Sequence, residues 1–378
     1  MILWREGRVA AVRRTYGAVG GEGGAVECDV DVARGGRCVA LAYPSLVGTP
    51  QPGDRVLLNT AALERGLGTG GYAFVVALVD NFPIDQPMGP GHLVKARYTP
   101  FQAMVQGVDE QGSPHHDVLA DADDLLGMPV VVADLHSAVP AIVAGIRDLR
   151  PDSRIAYVMT DGGALPAWFS HTVARLRDSG WVASCITAGQ AFGGDLEAVT
   201  VHSALLAARH VVDADVVVVA QGPGNLGTGT RWGFSGLAAG EAVNAAGVLH
   251  GHPVAALRIS GADSRPRHRG VSHHSLTAYG HVALTSADVV VPVFDGPSAA
   301  LGGGLTEIGE LVVQQVQELV APAGPHRAVH VPVDGLMGAL GGSPVPLSTM
   351  GRSLAEDPAA FLASAAAGRH AAELLPPA

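Results

Sequence analysis

Cysteine is scarce. Cys28, Cys38 and Cys185 are isolated and form no CxxC pair, so neither a zinc knuckle nor a disulfide framework is indicated. Cys28 and Cys38 could meet across a hairpin, but buried reduced thiols are the expected state. Basic residues are also few: 24 Lys and Arg against 35 Asp and Glu give a formal charge of -11, which argues against a nucleic-acid surface. No apolar run reaches the roughly 18 residues that a membrane span requires. The opening Met1-Ile2-Leu3-Trp4-Arg5-Glu6 lacks the apolar stretch of a secretory signal, so a cytoplasmic location is expected. No G-x-S-x-G elbow occurs, which leaves a serine hydrolase of the usual α/β type unsupported. What is abundant is apolar surface. Hydrophobic residues make up 48% and charged residues 16% of 378, enough for a large core and against disorder. At roughly 150 residues per domain, two or three domains are expected. The 50 glycines and 25 prolines have no period and cluster between apolar runs, where turns belong.

Two rhythms divide the chain. Residues 1–110 read as a small antiparallel β domain, a barrel or sandwich. Its strands run over Arg8 to Val12, Ala25 to Val32, Cys38 to Tyr43, Arg55 to Asn59, Tyr72 to Val79 and Leu93 to Tyr98. Turn-forming stretches separate them: Gly20-Gly21-Glu22-Gly23-Gly24, Gly35-Gly36, Pro52-Gly53-Asp54 and Gly68-Thr69-Gly70-Gly71. Residues 111–128 are polar and acidic and read as a linker with one helical turn. From 129 to 378, strand-sized apolar runs alternate with helical segments. The strands are Pro129 to Ala133, Ile155 to Met159, Val182 to Ile186, Val216 to Ala220, Val254 to Ile259, Val289 to Phe294 and a weaker Val329 to Val333. The helices include Val139 to Leu149, Leu165 to Arg177, Leu196 to His210 and Gly236 to Leu249. Strands apolar on both faces predict a parallel sheet covered on both sides, a Rossmann-like, doubly wound α/β domain of three layers. Six or seven units fall short of a closed eightfold barrel.

The polar residues are distributed unevenly. Segments leading into the strands are short and plain, such as Asp178-Ser179-Gly180 and Ser286-Ala287-Asp288. Segments leaving them are longer and rich in chemistry: Asp134-Leu135-His136-Ser137, Thr160-Asp161-Gly162-Gly163, Gly189 to Asp195, Gln221 to Gly236, Gly261 to Ser275 and Asp295-Gly296-Pro297-Ser298. Turning the chain needs no such bias, and ligands of open α/β sheets bind outside the carboxyl ends of the strands.

Four of these segments supply the candidate site. Gly222, Gly224 and Gly227 fit G-x-G-x-x-G after a strand, and with Thr228, Gly229 and Thr230 suggest an anion cradle. A dinucleotide is disfavoured, because the motif opens the fourth unit and the next strand ends Leu257-Arg258-Ile259-Ser260 without an acidic ribose partner. Arg265, Arg267 and Arg269 can grip a carboxylate or phosphate, and Ser272 or Ser275 can cap the helix that follows. His268, His273 and His274 can act as acid, base or metal ligand. Because His273 and His274 are adjacent, they are expected not to face one point, which makes one of them structural. Asp134 and His136 share a segment with Asp161 on the next, a set suited to a carboxylate-oriented base or, with His273 or His274, a mixed oxygen–nitrogen metal site. Asp195 is placed as the cap of the helix at Leu196. Gly66 to Gly71 echoes Leu226 to Gly229 and is read as a bulge or turn, or as a loop closing the site if the small domain leans over the sheet edge.

Asp134-Leu135-His136-Ser137, Thr160-Asp161-Gly162, Ala191-Phe192-Gly193-Gly194-Asp195, Gly222-Pro223-Gly224, Gly227-Thr228-Gly229-Thr230 and Arg267 to His274 together resemble a bacterial family catalogued as domain of unknown function 3866. The resemblance runs over almost the whole chain and implies no activity. From the residues, the leading expectation is an enzyme acting on a small anionic ligand, phosphorylated or nucleotide-like. A non-catalytic ligand-binding or protein-partner module and a metal-dependent hydrolase are the alternatives. The sequence designates no cofactor and no metal. Its small apolar residues are compatible with a homo-oligomer, and neither nucleic acid nor membrane is expected as a partner.

Overall fold

The computed structural model describes residues 2–17, 24–68, 70–83, 89–295, 304–320 and 324–377. The turn at Gly20 to Gly23, Thr69 and the Gly296-Pro297-Ser298 segment lie outside them. Strands β1 (Trp4–Tyr16), β2 (Ala25–Val32), β3 (Gly36–Ala42), β4 (Arg55–Asn59) and β5 (Ala73–Leu78) close a five-stranded barrel in the order β1-β2-β3-β5-β4, so it is a barrel and not a sandwich. One-turn helices α1 (Pro44–Val47) and α2 (Ala61–Glu64) join its strands. Val9, Val30, Val56, Leu58 and Val75 fill the interior. The run beginning at Leu93 is not a barrel strand. β6 (Leu93–Lys95) pairs with β7 (Ala103–Val105) in a separate hairpin, followed by α3 (His116–Leu119). All three cysteines are free.

The remaining chain forms one parallel sheet. Its strands are β8 (Pro129–Ala133), β9 (Ile155–Thr160), β10 (Ser184–Ala188), β11 (Leu196–Ala198), β12 (Val216–Gln221) and β13 (His252–Ala256), followed, after the short pair β14 (Ile259–Ser260) and β15 (Gly270–Val271), by β16 (Asp288–Val293) and β17 (Arg327–Pro332). The order is β11-β10-β9-β12-β8-β13-β16-β17, an open doubly wound arrangement. The helices are α4 (Val139–Leu149), α5 (His171–Asp178), α6 (Val201–His210), α7 (Ala238–Val248), α8 (His273–Thr277), α9 (Leu305–Leu319), α10 (Leu336–Gly341) and α11 (Pro358–Glu373). α4, α10 and α11 pack together on one face, while α6 and α7 pack together over the other. That double cover explains why Val130 to Val132, Val216 to Val219 and Val289 to Val291 are all buried without alternation. Among the described residues no helix is long and apolar enough to cross a membrane.

Local chemistry overrides the sequence pattern at three places. The segment expected to be one helix from Leu196 is an edge strand, β11, followed by α6, and Thr200 rather than Asp195 caps that helix, accepting from Ser203 N. Asp195 instead accepts hydrogen bonds from Cys185 N at 2.7 Å and from Arg177 at 2.7 Å. The helix expected from Leu165 starts only at His171, where the Ser170 hydroxyl accepts from Val173 N. The run Val254 to Ile259 leaves the sheet at Ala256, and Ile259 then pairs with Val271.

One ionic knot locks the amino edge. His252 Nε2 at 2.9 Å, His370 Nε2 at 2.8 Å and Arg327 Nη2 at 2.8 Å all meet Asp288 Oδ2, which ties β13, β16, β17 and α11 together. Burial opposes ionisation of Asp288, but the hydrogen bonds from Arg327, His370 and His252 outweigh it and hold the carboxyl well below the usual range. The unfolded chain therefore takes up this proton first on acidification. The stabilisation is complete above about pH 4 and is lost as the pH falls further. Asp288→Asn is expected to lower the Tm by several degrees at neutral pH and to flatten the acid limb of the stability curve. Circular dichroism melts against pH check this, and an acid slope equal to that of the parent chain would exclude it.

Candidate active site at the carboxyl edge

The chain leaves β8 for β9 on one side and passes from β12 over β8 to β13 on the other. Connections that diverge from neighbouring strands open a crevice at their carboxyl ends. Each strand end delivers a polar group to it, buried at β8 and β12 and half-buried after β13. β8 ends in Asp134, which is 3% exposed and whose Oδ2 is buried with no hydrogen-bond partner. Burial pushes its carboxyl up, and the Arg258 charge opposes this in part. β12 ends in Gln221, which donates from Nε2 to the Asp134 carbonyl at 3.0 Å and to Asn225 Oδ1 at 3.1 Å, and whose Oε1 has no partner. After β13, Arg258 donates from its backbone to Ser275 Oγ at 2.9 Å, and its Nη1 lies 3.1 Å from His274 Nδ1.

The β14–β15 pairing returns the arginine-rich segment to the same place. Gly270 makes the return with φ +67°, where a Cβ would press on Leu311 and Gln315. Ser272 then caps α8, accepting from His274 N at 3.2 Å, and its Oγ lies 2.8 Å from His268 Nδ1. His274 stacks flat on Phe234, with centroids 3.9 Å apart. One ring nitrogen from each of His268, His273 and His274 lies within 4.8 Å of the others. The neighbours His273 and His274 were expected to diverge and instead converge. Successive helical residues are only about 100° apart, unlike the opposed residues of a strand, so two long side chains in the first turn can reach a third. Burial lowers all three. His268 falls to about 4, with Arg258 and Arg265 adding to the effect, and His274 to about 3, with Arg258 and His273 adding. For His273 the next contributors are Arg267 and Arg258.

The three arginines of the segment are not equivalent. Arg265 is committed to Asp263 through contacts of 2.9 and 2.8 Å, and Arg352 bridges Asp357 and Asp263. Arg258, Arg267 and Arg269 form no salt bridge among the described residues. Arg267 Nε lies 3.4 Å from His268 Nε2. Sequence reasoning missed Arg258, Gln221 and Phe234, although a lone cation or amide ending an apolar strand was a visible signal.

Other candidates stand apart from this cluster. His136 is buried between Tyr157 OH, 3.0 Å from Nδ1, and Ser170 Oγ, 2.7 Å from Nε2, and makes no contact with Asp134. Asp161 accepts from Gln190 N at 2.8 Å and ties the loops after β9 and β10. The set Asp134, His136, Asp161 and His273 is therefore not assembled as one centre. Gly222 serves packing, since a Cβ there would strike the Ala164 carbonyl, while Gly224, Gly227, Thr228, Gly229 and Thr230 belong to an exposed lobe pinned by Thr228 N to Gly233 O at 2.8 Å. Arg269 is exposed at the rim.

The barrel leans on the other end of the same sheet edge. Tyr16 stacks on His171, Tyr43 and Phe74 face Trp168 and Phe169, and Gly70 lies beside Phe169. Between barrel and sheet lies a cleft of about 1320 Å³ lined by Leu46, Met104, Trp168, Phe192, Arg177 and Glu197. Burial raises the Glu197 carboxyl to about 7 against hydrogen bonding from Thr187 and the charge of Lys95. Here the charges are matched: Arg177 with Asp195, and Lys95 with Glu197 at 3.6 Å. At the β8–β12–β13 crevice Asp134 Oδ2, Gln221 Oε1 and His273 Nε2 have no hydrogen-bond partner, and Arg258 and Arg267 have no counter-charge in a salt bridge among the described residues.

A family model described as a protein of unknown function (DUF3866) matches residues 39–368. Neither the curated proteins nor the solved structures contain a match.

Proposed function

Since the chain belongs to the DUF3866 family, a membership that carries no activity, we propose from the geometry that it is an enzyme acting on a small anionic substrate at the β8–β12–β13 crevice. The substrate is a phosphorylated or nucleotide-like molecule. Arg258 and Arg267 grip its anionic group, and the groups beside the reacting bond come from His273, His274 and Asp134. One observation carries this reading. In a chain of net charge -11, Arg258 and Arg267 form no salt bridge among the described residues, and beside them Asp134 Oδ2, Gln221 Oε1 and His273 Nε2 are all buried without a hydrogen-bond partner. Buried polar atoms are normally satisfied, and exceptions gather where a ligand completes them. Arginine supplies a fork suited to phosphate or carboxylate. His136 and Asp161 support the walls of the site in this reading.

The test is a thermal-shift screen against inorganic phosphate, sugar phosphates and nucleotides, followed by calorimetry. A ligand that binds only the folded state raises the midpoint with its concentration. One phosphorylated class is expected to shift the parent chain. Arg267→Ala should weaken it by about 10- to 100-fold, the worth of a hydrogen bond to a charged group, while Arg37→Ala on the barrel leaves it unchanged. If Arg267→Ala alters no affinity, the anion grip is not there.

A further inference from the structure

We propose that His268, His273 and His274 form a three-histidine site for a divalent transition-metal ion of the zinc type, with Asp134 as the carboxylate that supports it. The proposal rests on the reading of this crevice as the functional site and adds the cofactor to it. A tetrahedral ion about 2.0–2.1 Å from each imidazole nitrogen holds those nitrogens roughly 3.4 Å apart. The three rings already bring one nitrogen each within 4.8 Å of the others, so small rotations complete the triad.

The surroundings are those of a ligand set. Ser272 Oγ accepts from His274 N and lies 2.8 Å from His268 Nδ1. With the hydroxyl oxygen acting as acceptor, His268 carries its proton on Nδ1 and keeps the lone pair on Nε2, where an ion would replace the long contact of 3.4 Å from Arg267 Nε. The Nδ1 contact to Ser272 is the outer hydrogen bond that metal-bound histidines make. His273 Nε2 is buried with no partner, the state of a ligand atom awaiting an ion. His274 Nδ1 has two neighbours, Arg258 Nη1 at 3.1 Å and Asp134 Oδ2 at 3.9 Å. Here Nδ1 accepts from Arg258; with a cation on Nε2 it would carry the proton instead, releasing Arg258 and turning to the Asp134 oxygen as its acceptor. Three imidazoles select zinc, cobalt, nickel or ferrous iron over magnesium or calcium. Three protein ligands would leave a fourth position for a water or the substrate anion. When bound, such an ion supplies a Lewis acid and an activated water.

A second group, His252, Asp288 and His370, also brings one ligand atom from each within 4.8 Å of the others. There Arg327 already occupies both Asp288 oxygens, which makes it an internal control.

The test uses tag-free full-length protein stripped with chelator and titrated with Co²⁺ and Zn²⁺. Visible cobalt absorption and elemental analysis are the readouts. One equivalent is expected, lost or weakened about 100-fold or more in His268→Gln and in His273→Gln, and unchanged in His252→Gln. Ser272→Ala should weaken binding by about 10- to 100-fold, and it serves as the second variant should a histidine substitution disturb folding, which melts will show. Absence of a stoichiometric ion in the parent chain, or its retention in both histidine variants, overturns the proposal. Phosphate binding that depends on Arg267 but needs no metal overturns the metal alone. Tight metal binding without any Arg267-dependent anion binding upholds the metal and sinks the anionic-substrate reading.

Discussion

Asp134→Asn is expected to melt higher than the parent chain while losing the function of the crevice. A carboxylate removed from water without a salt bridge costs several kcal/mol, whereas a neutral amide of the same shape costs far less. Asp134 is buried, its Oδ2 has no hydrogen-bond partner, and the nearest imidazole, His274 Nδ1 at 3.9 Å, is kept uncharged near neutral pH by burial and by Arg258. Relief of about 2 kcal/mol corresponds to a Tm roughly 4–8 °C higher in a domain of this size. The measurement is calorimetry on metal-free protein, paired with Co²⁺ titration and with phosphate binding. Function should move the other way: cobalt affinity is expected to fall by about 10- to 100-fold, as for other groups that orient metal ligands. A residue kept at a cost to stability is the signature of a site, where activity and stability are in conflict. A lower Tm in Asp134→Asn would identify Asp134 as an ordinary structural residue.

Gly145→Val is expected to be among the most damaging single changes in the chain. α4 and α11 cross so closely that a Cβ on Gly145 would fall on the Ala365 carbonyl, and one on Gly368 on the Ile142 carbonyl. The obstacle in both cases is backbone, which cannot rotate aside as a side chain can. Overpacking costs typically about 1–3 kcal/mol and more when helices must separate, so a loss near 3 kcal/mol and a Tm roughly 6–12 °C lower are expected. The damage reaches the site, because α11 packs on β8 and β13, and its Phe361 and Ser364 line a small cavity beside Asp134 and Arg258. Gly338→Ala in α10 meets nothing within 4 Å and is the matched control, expected to change the Tm little. Equal melting of the two variants would show that the helix crossing relaxes freely.

The sheet was legible because its signal is local. Valine-rich runs bounded by turns mark β8, β12 and β16 to within a residue, and the polar bias of the outgoing loops points to the carboxyl edge, where Asp134, Gln221 and Arg258 lie. What was not legible depends on distant partners. β11 is strand because it pairs with β10 and its Glu197 accepts from Thr187 and Gly193, so the helical periodicity of Leu196 to His210 misleads there. The convergence of His268 with His273 and His274 depends on Ile259 pairing with Val271, a two-residue contact that no periodicity announces. Asp134 and His136 are two residues apart yet diverge, because Tyr157 of β9, two strands away in the sheet, and Ser170 after it capture the imidazole. Arg265 looks equivalent to Arg267 in sequence and differs only through Asp263.

The most direct measurement is anomalous diffraction from crystals soaked in Co²⁺ and inorganic phosphate. The expected result is one cobalt peak bonded to nitrogens of His268, His273 and His274, with phosphate oxygens within hydrogen-bonding distance of Arg258 and Arg267. Cobalt at His252 and His370, or phosphate in the barrel-side cleft beside Arg177, with the β8–β12–β13 crevice empty, would contradict it.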